Sequence, residues 1–269
     1  MDDYFNISEW LNLAARWVHV FAGIMWVGQT YFFTWLDGRF TELETAGQNP
    51  DKHVWMVHSG GFYLVGKQKA PELMPSKLHW FRWEAMITWL SGMVLLIVVY
   101  YLGGLMLDDN MEETVPMITG IVALLSAWPV YDLIWRSKLG KNERAGVIVS
   151  YAVLAGAIYS LTHLMDGRAA YIHVGAMLGT IMTFNVWERI LPAQRKMVAA
   201  LNRGEQPDLS LGEQAKLRSK HNTFMAVPVV FLMISNHYPV TSYGDRWNWA
   251  ILCALILAGW GAAKIIRKA

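Results

Sequence analysis

Eight histidines are the main chemical resource of this 269-residue chain. The first to matter is His19, in the stretch Trp17-Val18-His19-Val20-Phe21-Ala22-Gly23-Ile24-Met25-Trp26-Val27-Gly28. It lies inside an apolar segment from Trp10 to Leu36, long enough to cross a bilayer at about 1.5 Å per residue. A histidine in the middle of such a helix is costly unless it has a partner. Gly23 falls one turn further on and Trp26 two turns, on the same face. A small residue beside an imidazole leaves room for a flat group, and an indole can pack on that group. One reading is therefore a haem iron ligand. The other is a histidine hydrogen-bonded to a neighbouring helix, and this stretch alone leaves both open.

The elements that position these side chains follow from composition. The chain is 54% hydrophobic and only 16% charged, with 14 tryptophans and 15 methionines. Long apolar runs predict an all-α fold, a polytopic bundle of seven transmembrane helices. They span roughly 10–36, 82–106, 115–135, 144–163, 169–190, 219–237 and 247–266, in a single membrane domain with a structured inner loop at 50–81. The one cysteine, Cys253, excludes a disulfide framework, a cysteine-rich zinc site and covalent haem attachment. The acidic N-terminus lacks the basic region of a cleaved signal peptide, so the first helix is its own insertion signal. Twenty of the 23 lysines and arginines fall on one side: in 38–82, 136–144, 189–220 and the tail. The positive-inside rule then places the N-terminus out and the C-terminus in, in a bacterial inner membrane. No nucleic-acid partner is expected; an oligomer is compatible with the pattern.

With that orientation the histidines sort into layers. His19 lies about 13 Å below the outer end of its helix. His173 starts the fifth helix, and His163 and His237 end the fourth and sixth, all in the outer half. Imidazoles from different helices at similar depth suit bis-histidine ligation of haem b inside a bundle. His19 with His173 is the best-matched pair, with Gly23 and Trp26 beside the ring. His163 and His237 are candidates for a second haem or for its propionates, or are wet helix caps. A copper or zinc site is the other metal reading; no carboxylates in this layer favour a hard cation.

His58, His79 and His221 belong to the inner face, with His53 at the end of a solvated linker whose first part spans 41–52. His221 and His237 share a helix but lie about 24 Å apart, too far to share one metal. Gly60-Gly61 permits tight turns whose N–H groups can hold an anion. His58, His79, Arg82, Glu84, His221 and Asn222 form the candidate catalytic set, with histidine as acid or base. The alternative is an electrostatic collar facing lipid headgroups, with Trp80 and Trp83 as interface anchors. Asp132, with Trp135 and Arg136, is read as a cap of the third helix near the inner surface.

Several segments together resemble the membrane domain of PuuD-type urate hydroxylases. They are Trp17-x-His19 with Trp26-x-Gly28, His58-Ser-Gly-Gly-Phe-Tyr63, Leu78-His-Trp-Phe-Arg-Trp-Glu84 and Thr88-Trp-Leu-Ser-Gly92. Trp128-x-x-Tyr131-Asp132, Asn185-Val186 with Pro192, Arg218-Ser-Lys-His-Asn222 with Pro228, and Met233-x-Ser-Asn-His237-Tyr-Pro239 complete the set. The resemblance covers nearly the whole chain. It implies an inner-membrane enzyme that oxidises urate to 5-hydroxyisourate and passes electrons to cytochrome c. Members of that type usually carry a fused cytochrome c domain. This chain has no C-x-x-C-H, so a separate periplasmic cytochrome c is the expected acceptor. The first-helix pattern also resembles helix 1 of CopD-like proteins and of HemJ-type protoporphyrinogen oxidases, which favours haem near His19.

The expected mechanism starts with a purine anion at the inner mouth. Arg82 binds it, and His58, His79 or His221 removes a proton. Electrons reach haem b in the outer half and leave to a basic cytochrome steered by acidic outer loops. Three rival readings stand beside it: a quinol-linked haem-b electron-transfer subunit, a transporter, and a porphyrin-handling enzyme of the HemJ kind. The transporter reading lacks obvious broken-helix pairs.

Overall fold

A computed structural model of the chain describes residues 7–46, 53–68, 70–71, 75, 77–106, 114–238 and 246–267. The described residues are mostly helical. The first helix, α1, runs Ile7–Ala46, forty residues and about 60 Å. It continues ten residues past the predicted end at Leu36, through Asp37, Arg39, Glu42 and Glu44. Charge ends an apolar span, but arginine and glutamate are good helix formers outside the apolar slab.

A hairpin packs on that extension. Strand β1, His53–His58, pairs antiparallel with β2, Gly61–Gly66, His58 opposite Gly61. The two loop residues, Ser59 and Gly60, have φ of 49° and 75°. Two left-handed residues in succession give the turn whose twist matches a hairpin. The glycine pair therefore serves the turn and the first residue of β2, not the anion-holding loop the sequence suggested. Val54, Met56 and Val65 pack on Leu36, Phe40 and Leu43 of α1, and Lys67 pairs with Asp37. Within the predicted inner loop, residues 53–66 thus form a small sheet on the extended α1; much of the linker at 41–52 is the end of α1, and 47–52 lies outside the described residues.

Seven further helices follow: α2 Trp83–Leu96, α3 Thr114–Arg136, α4 Glu143–Leu164, α5 Gly167–Phe184, α6 Leu191–Asn202, α7 Leu209–Ser235 and α8 Asn248–Ile266. Side-chain caps start three of them. Asn142 accepts from the N–H groups of Arg144 and Ala145, Asp166 from Arg168, and Asp208 from Ser210. Two π-helical segments interrupt the regular winding: Ile97–Tyr101 at the end of α2 and Asn185–Ile190 between α5 and α6.

α5 is the centre of the bundle. Ala169, Ala170, Tyr171, His173 and Val174 have no exposed surface. α2, α3, α4 and α7 pack around it, and α1 lies outside, along α2. Five helical stretches are long and apolar enough to cross a membrane: Trp83–Tyr101, Thr114–Arg136, Glu143–Leu164, Gly167–Asn202 and Asn248–Ile266. The chain is a multi-pass helical membrane protein in its architecture. α1 and α7 have the length without the uniform hydropathy, because α7 opens on Glu213, Lys216, Arg218 and Lys220. The polar loop expected between 191 and 218 is mostly helix: α6 and the first turns of α7 pack as an antiparallel pair, burying Leu191, Ala193 and Ala215.

Close helix contacts use glycine. A β-carbon at Gly259 of α8 would lie 2.9 Å from Pro228 Cγ on α7. A rigid pyrrolidine ring cannot retreat, so Gly259→Ala is expected to destabilise the protein by about 1–3 kcal/mol. Gly179→Ala, where nothing lies within 4 Å, is expected to be neutral or slightly stabilising. Thermal unfolding of both variants in detergent checks the contrast.

Candidate functional site

One carboxylate organises the end of the bundle where the basic residues gather. Asp132 of α3 is 5% exposed. Arg189 of the second π segment grips it in a two-pronged pair, its Nε donating to Oδ1 at 2.8 Å. Arg218 of α7 donates to the same Oδ1 from Nη2 at 2.9 Å. Arg136, one turn along α3, stands 3.8 Å from Oδ2. Arg189 lies over the Trp128 ring and Arg218 over Tyr131. Three guanidinium groups around one carboxylate leave a positive surplus, and Arg218 Nη1 is buried without a hydrogen-bond partner among the described residues. The predicted role of Asp132 as a helix cap is corrected: it joins three elements distant in sequence.

Beside this hub runs a chain of polar side chains. Asn222 of α7 donates from Nδ2 to the Met182 carbonyl at 2.9 Å. Its Oδ1 accepts from Asn185 Nδ2 at 3.0 Å. The same Asn185 amide donates to the Tyr131 hydroxyl at 3.2 Å. That hydroxyl lies 2.6 Å from His221 Nδ1, and the Trp135 ring covers the imidazole at 4.1 Å between centroids. Asn185 Oδ1 and His221 Nε2 are buried and have no hydrogen-bond partner among the described residues. Asn185 opens the π segment, and π segments recur at functional sites because the extra residue reorients side chains.

Two cavities meet this chain at its ends. The larger, about 740 Å³, lies among α3, α4, α5, α7 and α8. Its walls are mainly alanine, valine, leucine, isoleucine and methionine, with Tyr131, Trp135 and His221 on one side and Lys220, Lys264 and Arg267 among its lining cations. The smaller, about 500 Å³, is more polar. Trp26, Phe33, Trp80 and Phe81 supply flat surfaces, Gln29, Gln194 and Asn222 supply amides, and Lys216, Lys220 and Arg267 supply charge. Lys220 and Arg267 belong to both linings, so the stretch Lys220-His221-Asn222 separates an apolar chamber from a polar one.

The structure divides the predicted catalytic set. His79 and Asn222 share the polar chamber, and His221 lines the apolar one. His58 sits exposed at the hairpin tip, its Nδ1 3.0 Å from Ser59 Oγ. Arg82 stacks between Trp83 and Trp187. Glu84 lies in the first turn of α2 with Oε2 buried, and neither it nor Arg82 lines either chamber. His79 is exposed, packed edge-on against Phe81.

The predicted outer layer is also not assembled around one space. His19 Nδ1 lies 2.8 Å from the Thr88 carbonyl of α2 and 3.3 Å from Ser91 Oγ. A β-carbon at Gly92 would fall 2.9 Å from its ring, so α2 occupies the ground beside the imidazole. Gly23 faces Thr88 rather than an open slot, and Trp26 lines the polar chamber at the other end. His173 donates from Nδ1 to Ala169 at 2.7 Å and meets the Tyr101 hydroxyl with Nε2 at 3.0 Å. It thus meets the α2 chain nine or more residues beyond the point where His19 meets it, about 14 Å along the axis. His163 is exposed and stacks on Tyr159, and His237 is exposed at the end of α7. Among the described residues no three of His, Cys, Asp and Glu gather as a metal site. The side chains that do converge, Tyr131, Asp132, Asn185, Arg189 and Arg218, lay outside the predicted set. Their signal was a run of polar residues at corresponding depth on three helices.

Removing the carboxylate should expose the strain of this hub. Asp132→Asn leaves buried guanidinium charge uncompensated and is expected to cost about 3–5 kcal/mol. Arg136→Gln, at a side chain 69% exposed, should cost less than about 1 kcal/mol. Chemical unfolding of the two variants in detergent measures the difference.

Comparison with known proteins bears on the whole of this architecture. No curated protein and no solved structure matches the chain. The profile of the family described as Urate oxidase N-terminal matches residues 5–268, through every helix and both chambers. The chain belongs to the urate oxidase N-terminal family.

Proposed function

We propose that the protein is a membrane oxidoreductase that oxidises a purine of the urate class and hands the electrons to a protein of the cytochrome c class. The observation that carries this reading is the polar chamber, joined by hydrogen bonds to an apolar one. Urate is a flat anion edged by carbonyl and N–H groups. The polar chamber offers aromatic faces, amides that donate and accept, and a charged rim in which Lys216, Lys220 and Arg267 outnumber Asp37 and Glu213. Asn222 is buried with its amide already bonded to Asn185 and the Met182 carbonyl, so Gln29 and Gln194 are the amides left to meet the edge of a purine.

The reaction that fits is hydroxylation by water with loss of two electrons. Urate and water give 5-hydroxyisourate, two protons and two electrons, and two one-electron acceptors are reduced per turnover. His79, in the chamber wall, is the side chain placed to take a proton from the purine or from water. Lys216 and Arg267 hold the anion, Lys220 being paired with Glu143. The hydrogen-bonded chain Asn222–Asn185–Tyr131–His221 ties the wall of this chamber to that of the apolar one. Tyr131 and Asn185 are positioning residues in this scheme.

In our reading the chain spans a bacterial inner membrane seven times, α1 and α7 included, with the N-terminus out and the C-terminus in. Support comes from the shared end at which Arg136, Arg189, Arg218, Lys220 and Arg267 meet, as the positive-inside rule requires of a cytoplasmic face. The purine then enters from the cytoplasm.

Purified protein mixed with urate and oxidised cytochrome c should consume urate and reduce the cytochrome in a ratio of one to two. His79→Ala is expected to lower kcat by about 10²–10⁴-fold with little change in urate affinity. Gln194→Leu should instead weaken urate binding by about ten- to a hundredfold. Absence of urate-dependent cytochrome reduction, with urate binding also absent by titration calorimetry, overturns the assignment.

A further inference from the structure

We propose that the apolar chamber binds one anionic phospholipid of the surrounding membrane, its head at the charged end and an acyl chain laid along the walls. The site is separate from the purine chamber, with which it shares only the rim residues Lys220 and Arg267.

Shape is the first support. On α3 the lining runs from Ala123 to Trp135, and on α4 from Glu143 to Ala157. Those helical stretches rise about 18 and 21 Å. One leaflet of a bilayer, headgroup included, is about 20–22 Å deep. A cavity of about 740 Å³ drawn out over that length is a slot for an extended chain. Its walls are aliphatic away from the charged end, Ile134, Leu154 and Ile181 among them, so they offer an alkyl chain contact and nothing to hydrogen-bond. Three lining valines, Val130, Val147 and Val153, are exposed. The slot is therefore reached from the side of the bundle, along α3 and α4, both long and apolar enough to cross a membrane.

Charge is the second support, and it lies at one end. Glu143 starts α4, Lys264 lies in the last turn of α8, and Arg267 follows that helix. Glu143 is paired with Lys220, so these two cancel. Lys264 and Arg267 have no ion pair among the described residues, and Arg267 lies over the Phe224 ring. Two positive charges are left to answer at the rim. A phosphodiester answers them; a head with no net charge does so less well. Basic pockets between membrane helices take anionic lipid heads in this way.

The test uses the full chain purified in detergent and washed free of lipid. It is offered phosphatidylglycerol or phosphatidylcholine with the same acyl chains, and native mass spectrometry counts what stays bound. One phosphatidylglycerol per chain should be held in preference to phosphatidylcholine. Lys264→Gln should weaken phosphatidylglycerol binding about fivefold, the share of one basic side chain near the headgroups, and leave phosphatidylcholine binding unchanged. Arg267 is left in place because it also lines the polar chamber. Ala157→Trp, which fills the deep end of the slot, should abolish retention of the lipid. Where that variant does not fold, Val130→Trp, at an exposed lining position, replaces it. Equal retention of the two lipids overturns the proposal, as does undiminished phosphatidylglycerol binding in a folded tryptophan variant. A wild-type protein that holds no phospholipid, or a quinone in its place, overturns it too.

Discussion

A carboxylate inside an apolar slab is tolerable only when opposite charge closes around it. Asp132 is that carboxylate, and its partners come from α3, the π segment and α7. The contact decides where α7 stands relative to α3. That in turn sets Tyr131 against His221 and Asn185 against Asn222. Cation–π contacts to Trp128 and Tyr131 then fix the guanidinium planes. At the other end, close packing around Ala169, Ala170 and Tyr171 is joined by single hydrogen bonds such as Tyr101–His173 and Arg168–Asn236 rather than by a charged hub.

The division into two chambers follows from the same placement. Three successive residues on a helix point in three directions, about 100° apart. Lys220, His221 and Asn222 therefore address a shared rim, an apolar space and a polar space in one turn. A polar space and an apolar one are thus kept apart by one helix, with the hydrogen-bonded Tyr131 between them.

Most helices were legible because hydropathy reports length. The predicted starts at 82, 115, 144, 169 and 247 lie within two residues of the starts observed for α2, α3, α4, α5 and α8. α7 was truncated by ten residues because its first turns are charged, and hydropathy cannot see a helix outside the slab. The candidate site was half legible. Depth along a helix can be counted, so His221 and Asn222 were assigned to the layer of the basic residues, and both chambers have linings at that end. Rotation about a helix and the identity of the facing neighbour cannot be counted. His19 therefore looked like a ligand with room beside Gly23, whereas α2 fills that room through Thr88, Ser91 and Gly92. Asp132 showed only its local partner Arg136. The two that matter more lie 57 and 86 residues away.

The π-helical turn at Asn185–Ile190 sets a frame for everything after it. It holds one residue more than a regular turn does. Deleting a single residue there would let the chain rewind as an unbroken α-helix and swing the following positions by about 100°. Arg189 would leave Asp132, and Pro192 would enter the next helix on a different side. The number of residues between Phe184 and Leu191 is therefore pinned by the grip of Arg189 on Asp132, whatever side chains face outward there.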